Sequence, residues 1–271
     1  MKSDPVRSTP RFRLRAVRIA VGVLSAAFAA SVQGGECLAK SGPRTAALVE
    51  LYTSEGCSSC PPADRWLSSL SSRGYVPERV VPLALHVDYW DYIGWKDRYA
   101  KREFSQRQRK LTQLQRLALV YTPQVMLQGQ DFRAWGTPAF EEALAKINAR
   151  PARAEIALEL LPAEPGTLTV RVSAAVLDTA PADAVGLYLA AYENRLETRV
   201  SAGENRGRTL SHDHVALEWQ GPLGFSGPRI ALERALRLLP GAQRANSGVV
   251  AFVQNRATAE VLQVLMLPSC S

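Results

Sequence analysis

Cys57 and Cys60, two cysteines separated by two residues, limit the folds open to this chain. The apolar run 46–52 before them predicts a buried strand, and the pattern of residues 63–72 after them predicts a helix. Strand-like and helical patterns alternate from residue 45 to residue 150, as is typical of parallel βαβ construction. The pair therefore lies at a strand-to-helix turn of an α/β fold, and a CxxC motif in that position indicates thiol–disulfide exchange.

The two thiols have different expected roles in such an exchange. A thiolate attacks a disulfide, and a second thiol resolves the mixed disulfide that forms. Cys57 comes first and is the expected nucleophile, which makes Cys60 the expected resolving thiol. The alternatives are an inert structural disulfide and half of a zinc site, although the sequence contains no second CxxC with zinc-finger spacing.

The first 29 residues have the three parts of a secretory signal peptide. Six basic residues, opposed only by Asp4, precede an apolar run over about 19–28, and small residues stand at Ala27 and Ala29, near its end. The run is shorter than the roughly 20 apolar residues that a spanning helix needs, so we expect cleavage rather than anchoring. Residues 30–44 are then an N-terminal arm of a periplasmic or secreted protein. Without the leader the net charge of +8 becomes modest, and nucleic acid is not an expected partner.

The second half has a different texture. Apolar and polar residues alternate over 154–161, 167–177 and 185–192, with turn residues between the runs. Several short strands of this kind predict an antiparallel, sandwich-like arrangement. The sequence thus predicts an α/β domain over 45–150 followed by a β-rich domain over 151–271.

The chain resembles thioredoxin-fold oxidoreductases, and in particular an exported bacterial protein family with a thioredoxin-like domain, known as domain of unknown function 1223. The segments that carry the resemblance are 51–64 around the CxxC, His86–Trp95, 120–124 and 207–215. The resemblance implies a thioredoxin-like fold for residues 45–150. It also implies that Thr122–Pro123 is a cis peptide that orients the backbone of a substrate, because X–Pro bonds are the ones for which the cis form is common. The direction of electron flow stays open.

His86 and Asp88 are candidates for moving protons during the exchange. They follow the second predicted strand, near the edge of the sheet where open α/β folds place ligands. Acid–base catalysis needs a group that changes charge near neutral pH, which a histidine provides. The alternative is a packed aromatic cluster with a hydrogen-bonded core histidine.

His212 and His214 suggest a second use for the histidines. Alternate residues of a strand share one face, so two imidazoles there can converge on a soft metal such as copper. A periplasmic metal carrier is therefore an alternative function, and a non-catalytic binding module is another. The simpler interpretation is that both histidines lie on a solvated strand or at a domain interface.

Cys37 and Cys270 remain once the CxxC pairs locally. A bridge between them leaves Cys57 and Cys60 free to cycle, and domain termini often lie close together. The alternative is that both stay free in the chain ends. The expected function is an exported thiol–disulfide oxidoreductase that needs no dissociable cofactor. Its expected partner is an exported protein or a small thiol or disulfide, and no membrane span is expected after the signal is removed.

Overall fold

The computed structural model describes Met1, residues 37–177 and residues 184–270. The predicted signal peptide lies outside the described residues, apart from Met1. The helices are α1 (Pro61–Ser72), α2 (Arg102–Leu114) and α3 (Ala139–Asn148), with short 3₁₀ helices at Asp88–Ile93 and Arg244–Asn246. The strands are β1 (Leu38–Lys40), β2 (Ala47–Thr53), β3 (Val80–His86), β4 (Gln124–Leu127), β5 (Gln130–Asp131), β6 (Ala154–Leu161), β7 (Thr167–Val176), β8 (Val185–Glu193), β9 (Leu196–Arg199), β10 (Thr209–His212), β11 (Val215–Gly224), β12 (Arg229–Arg237), β13 (Ser247–Asn255) and β14 (Val261–Pro268).

Strands from both halves of the chain form one mixed sheet of eight strands, in the order β14-β13-β8-β11-β3-β2-β4-β5. Its centre is a β2–α1–β3 unit with parallel strands, and β4 runs antiparallel on the other side of β2. Val215 of β11 pairs in parallel with Ala84 of β3, and this pairing joins the two halves. The remaining pairs on that side of the sheet are antiparallel.

The predicted fold class, a thioredoxin-like α/β domain followed by a β-rich sandwich-like domain, is wrong. Most of the regular structure is β-sheet, and a thioredoxin-like α/β domain is not evident in the described residues because β11, β8, β13 and β14 continue the sheet from β3. Hydrophobic patterning predicts that a segment is a strand and which face it buries. It does not predict which edge the strand joins, and here the open edge of β3 accepts a strand from the second half.

A second sheet of four strands, in the order β1-β6-β7-β12, packs on the larger sheet. The alternation along β2 shows which helices cover which face. Val49 and Leu51 pack in a cluster with α1 and α3, whereas Leu48 and Tyr52 pack in a cluster with α2. Glu50 lies between the latter two in the strand and points to the same face as they do. The α1 side and the α2 side of the sheet are therefore separate environments.

The two ends of the described chain are tied together. Residues 38–40, part of the predicted N-terminal arm, form β1 and pair with β6. Just before β1, Cys37 forms a disulfide with Cys270, with the Cα atoms 5.7 Å apart and a sequence separation of 233. None of the helices in residues 37–177 and 184–270 is both long enough and apolar enough to cross a membrane.

Candidate functional site

Cys57 and Cys60 form a disulfide in the turn between β2 and α1. The Cys57 amide donates to the Ser54 carbonyl, and the Cys60 amide donates to the Cys57 carbonyl. Cys60 is the N-cap of α1, and Pro61 and Pro62 are its first residues, so these positions offer no amide hydrogens to an anion. The Ser59 hydroxyl lies 3.4 Å from the Cys57 sulfur and is the group placed to stabilise a thiolate there. Both cysteines are fully buried.

The 3₁₀ helix Asp88–Ile93 packs against this turn. A Cβ on Gly56 would lie 3.2 Å from both Trp90 and Ile93, so glycine is the residue that allows this approach. The Trp90 indole also donates a 2.7 Å hydrogen bond to the Thr122 hydroxyl. Trp90 thereby connects the cysteine turn to the Thr122–Pro123 peptide, which is cis. A cavity of about 300 Å³ opens at Pro123, lined also by Tyr121, Arg133, Trp135 and Leu119.

A loop from the second half holds the turn from the other side. The Asn205 side-chain amide donates to the Glu55 carbonyl at 2.8 Å and to the Cys57 carbonyl at 3.0 Å. The Glu204 carboxylate accepts the Ser58 amide at 3.0 Å. The Ser58 hydroxyl and, to a smaller extent, the Ser58 amide lower the pKa of Glu204, so its charge persists next to the disulfide. Residues about 150 positions apart in sequence therefore complete one site.

A cluster of buried ionisable side chains lies next to the disulfide, on the α1 side of the sheet. His86 Nδ1 is 2.7 Å from Asp97 Oδ2, and the His212 ring centroid is 4.9 Å from that of His86. His212 Nε2 is 3.4 Å from Glu55 Oε1. Asp64, one helical turn after Cys60, is also buried. The atoms of this cluster that lack a hydrogen-bond partner in the structure are Glu55 Oε1, Asp64 Oδ1, His86 Nε2 and both ring nitrogens of His212.

The charges in this cluster shift one another. Burial lowers the pKa of His86, but the nearby Asp97 carboxylate outweighs burial and raises the pKa to about 9. Burial raises the pKa of Asp97, and the interaction with protonated His86 more than reverses this, so the net shift is downward. Burial raises the pKa of Asp64 despite the attraction of His212 and His86. At neutral pH the cluster therefore holds an imidazolium–carboxylate pair, beside the Asp64 carboxyl with its raised pKa.

The structure places the other predicted site residues elsewhere. Asp88 accepts a hydrogen bond from the Ser105 hydroxyl of α2, and it does not join the His86 cluster. His212 contacts His86 and Tyr99, whereas the His214 ring lies near Tyr192. The two rings thus have different neighbours. Among the described residues, no group of three or more His, Cys, Asp or Glu side chains has an arrangement suited to a metal ion.

Two buried histidines, His86 and His214, lead us to expect that the free energy of unfolding is greatest near pH 6.5. His86 has a pKa raised to about 9, so its contribution is complete below 6.5 and is lost as pH rises to 9. Burial lowers the pKa of His214 to about 4, so its contribution is complete above 6.5 and is lost as pH falls to 4. Each contribution is roughly 3 kcal/mol. Urea unfolding measured across pH should show His86→Gln removing the alkaline slope and His214→Gln removing the acid slope. Unchanged slopes in both variants would contradict these assignments.

Comparison with known proteins gives the family. Residues 48–254 match the model of the family described as protein of unknown function, DUF1223. The chain belongs to this family. A comparison with curated protein sequences gives no significant match.

Solved structures support the fold. A crystal structure of an Agrobacterium tumefaciens protein matches with a TM-score of 0.60 at 22% identity, covering 85% of this chain and 97% of that one. HBP35 of Porphyromonas gingivalis matches with a TM-score of 0.62 at 18% identity, covering 84% of this chain and 76% of that one. At these identities the likeness is one of fold alone.

Several residues of the site were missed in the sequence. Glu55 and Asp64 lie inside the CxxC segment, and Asp64 follows Cys60 by four residues, which is one turn of helix. That spacing was a usable signal for Asp64. Asp97, Glu204 and Asn205 reach the site through long-range folding, and no local pattern distinguishes them from solvated loop residues.

Proposed function

We propose that this protein is an extracytoplasmic thiol–disulfide oxidoreductase in which Cys57 attacks and Cys60 resolves. The observation that carries the proposal is the position of the Cys57–Cys60 disulfide next to a buried cluster of ionisable side chains. The Asp64 amide donates to the Cys60 carbonyl, and the amide of Glu55, two residues before Cys57, donates to Asp97. A structural disulfide has no need of such neighbours, because buried charges are costly and are retained where they are paired or used. The second disulfide, Cys37–Cys270, supports an oxidising compartment.

The exchange balances without a cofactor. A thiolate of a reduced substrate attacks Cys57, the Cys57–Cys60 bond breaks, and Cys60 leaves as a thiolate that takes a proton. A second substrate thiolate then attacks the substrate sulfur of the mixed disulfide and releases Cys57. The substrate loses two electrons and becomes a disulfide, and the protein gains two electrons and two protons. The reverse sequence reduces a substrate disulfide.

The buried cluster supplies the proton that Cys60 needs. Asp64 lies one turn from Cys60 on α1, and burial raises the pKa of its carboxyl. We assign the first proton transfer to Asp64 and its replenishment to the neighbouring His86 and His212. Asp88 has no part in this relay, because its carboxylate is held by Ser105.

Substrate backbone is proposed to lie along Thr122–Pro123. Trp90 holds Thr122 beside the turn, and the cavity at Pro123 is lined by aromatic side chains with Arg133 at 73% side-chain exposure. An extended apolar segment of an exported protein, or a small disulfide, fits such a surface. Glu204 and Asn205 hold the turn in place, which gives the second half of the chain a role in the site.

Redox titration tests the proposal. The protein is equilibrated with glutathione buffers of known potential, free thiols are alkylated, and the oxidation state of each cysteine pair is read by peptide mass. We expect the Cys57–Cys60 pair to titrate within the range of about −270 to −120 mV covered by exchange proteins. The Cys37–Cys270 disulfide is the internal control and should stay oxidised. If the Cys57–Cys60 pair remains oxidised at every potential in this range, it is a structural disulfide and the proposal is wrong.

A further inference from the structure

A cavity of about 580 Å³ lies between α2 and the face of the large sheet formed by β8, β11 and β13. This volume is within the range of small-molecule sites. Its lining residue Tyr188 packs in the same cluster as Leu48 and Tyr52, on the α2 side of the sheet. Val49 and Leu51 face α1 on the opposite side. The cavity is therefore separate from the disulfide and from the buried histidine cluster.

Tyr188 and Trp219 line the floor of the cavity, and the fully buried Phe252 packs against both rings. Tyr188 stacks on Phe252 with ring centroids 4.8 Å apart and planes 5° from parallel. Trp219 is tilted against both, at 5.7 Å from each. The Arg107 guanidinium lies 5.0 Å from the centroids of the Trp219 and Phe252 rings. A flat apolar group can pack against such a floor. The rings already hold one another in place, so the protein side chains lose little conformational freedom when the group binds.

The rim of the cavity carries unbalanced positive charge. The charge of Arg107 is matched by Glu50, which accepts two of its hydrogen bonds. Lys110 and Arg256 also line the cavity, and neither forms an ion pair with any residue in the described part of the chain. Glu103 supplies one opposing charge from the lining. Two cations against one acid, next to a low-dielectric aromatic surface, favour an anion.

We propose that this cavity binds a small molecule with a flat apolar body and a single anionic group such as a carboxylate. The body lies on Trp219 and Tyr188. The anionic group lies between Lys110 and Arg256, two exposed cations at the cavity. The site is independent of the proposed redox chemistry.

Binding of 2-naphthoate, measured by isothermal titration calorimetry, tests the proposal. The neutral analogue 2-naphthamide should bind at least about fivefold more weakly, because it keeps the flat body and loses the charge. The double variant Lys110→Gln/Arg256→Gln should weaken 2-naphthoate binding by roughly tenfold, with each lost pair contributing a few-fold. Both positions are at the rim, so the change leaves the aromatic floor intact.

Matched controls distinguish the site from general attraction to a basic surface. Arg102→Gln removes one positive charge from the exposed surface of the same helix, outside the cavity, and should leave binding within about twofold. Cys57→Ser/Cys60→Ser should also leave binding unchanged, because the disulfide lies elsewhere. The proposal is overturned if 2-naphthoate does not bind, if the amide binds equally well, or if Arg102→Gln weakens binding as much as the double variant does.

Discussion

Arg107→Ala is expected to lower the free energy of unfolding by about 3–5 kcal/mol. Arg107 on α2 and Glu50 on β2 form an ion pair whose side chains are 8% and 0% exposed. Glu50 outweighs the effect of burial and raises the pKa of Arg107 above its usual range. Removal of the guanidinium leaves the Glu50 carboxylate buried without its partner, and it also removes the contact with the rings of Tyr188, Trp219 and Phe252. Urea unfolding at neutral pH, with both disulfides intact, measures the change.

Two further variants show whether the loss comes from an unpaired charge. Arg171→Ala removes an exposed arginine that pairs with Glu159 and Glu233, and should cost less than about 1 kcal/mol. Glu50→Leu/Arg107→Met replaces the pair by apolar side chains and should recover part of the loss, because no charge is left buried alone. A cost for Arg107→Ala no greater than that for Arg171→Ala would contradict the argument.

The local elements were predictable because each carries its own pattern. The strand at 154–161 alternates buried and less buried residues in the structure, as its alternating sequence predicted. The periodicity of residues 230–239 fits a helix as well as a strand, and most of them form β12 because β7 supplies an antiparallel partner. Local periodicity decided the first case. A pairing distant in sequence decided the second.

The assembly of these elements was not predictable from the same patterns. The parallel pairing of Val215 with Ala84 joins segments more than a hundred residues apart in sequence. No pattern in either segment identifies the strand with which it pairs. The same holds for the site. The CxxC turn and the residues that follow β3 were recognisable, whereas Asn205 reaches the turn only because the two halves share one sheet.

Cys60→Ser is expected to accumulate mixed disulfides with substrate proteins, whereas Cys57→Ser accumulates few. This prediction rests on the proposed function. In Cys60→Ser the Cys57 thiolate still attacks, with the Ser59 hydroxyl 3.4 Å from its sulfur, and no second thiol resolves the product. Cys60 lies at the start of α1, between the Cys57 turn and the two prolines, with Asp64 one turn further on. Pro61 and Pro62 offer no amide hydrogens to stabilise a thiolate on Cys60, so Cys60 is the poorer nucleophile.

The variants should be exposed to oxidising extract, precipitated under acid to stop exchange, and separated without reductant. The double variant Cys57→Ser/Cys60→Ser is the background control, and Cys37–Cys270 remains in all three proteins. Because both cysteines are fully buried in the disulfide form, attack on Cys57 requires a movement of the 3₁₀ helix that contains Trp90 or of the loop that contains Asn205. Asn205→Ala removes the two hydrogen bonds to the turn and should speed mixed-disulfide formation in the Cys60→Ser background. Equal trapping by Cys57→Ser and Cys60→Ser would contradict the assignment of roles to the two cysteines. If Asn205→Ala leaves the rate of trapping unchanged, the Asn205 loop does not limit access to Cys57.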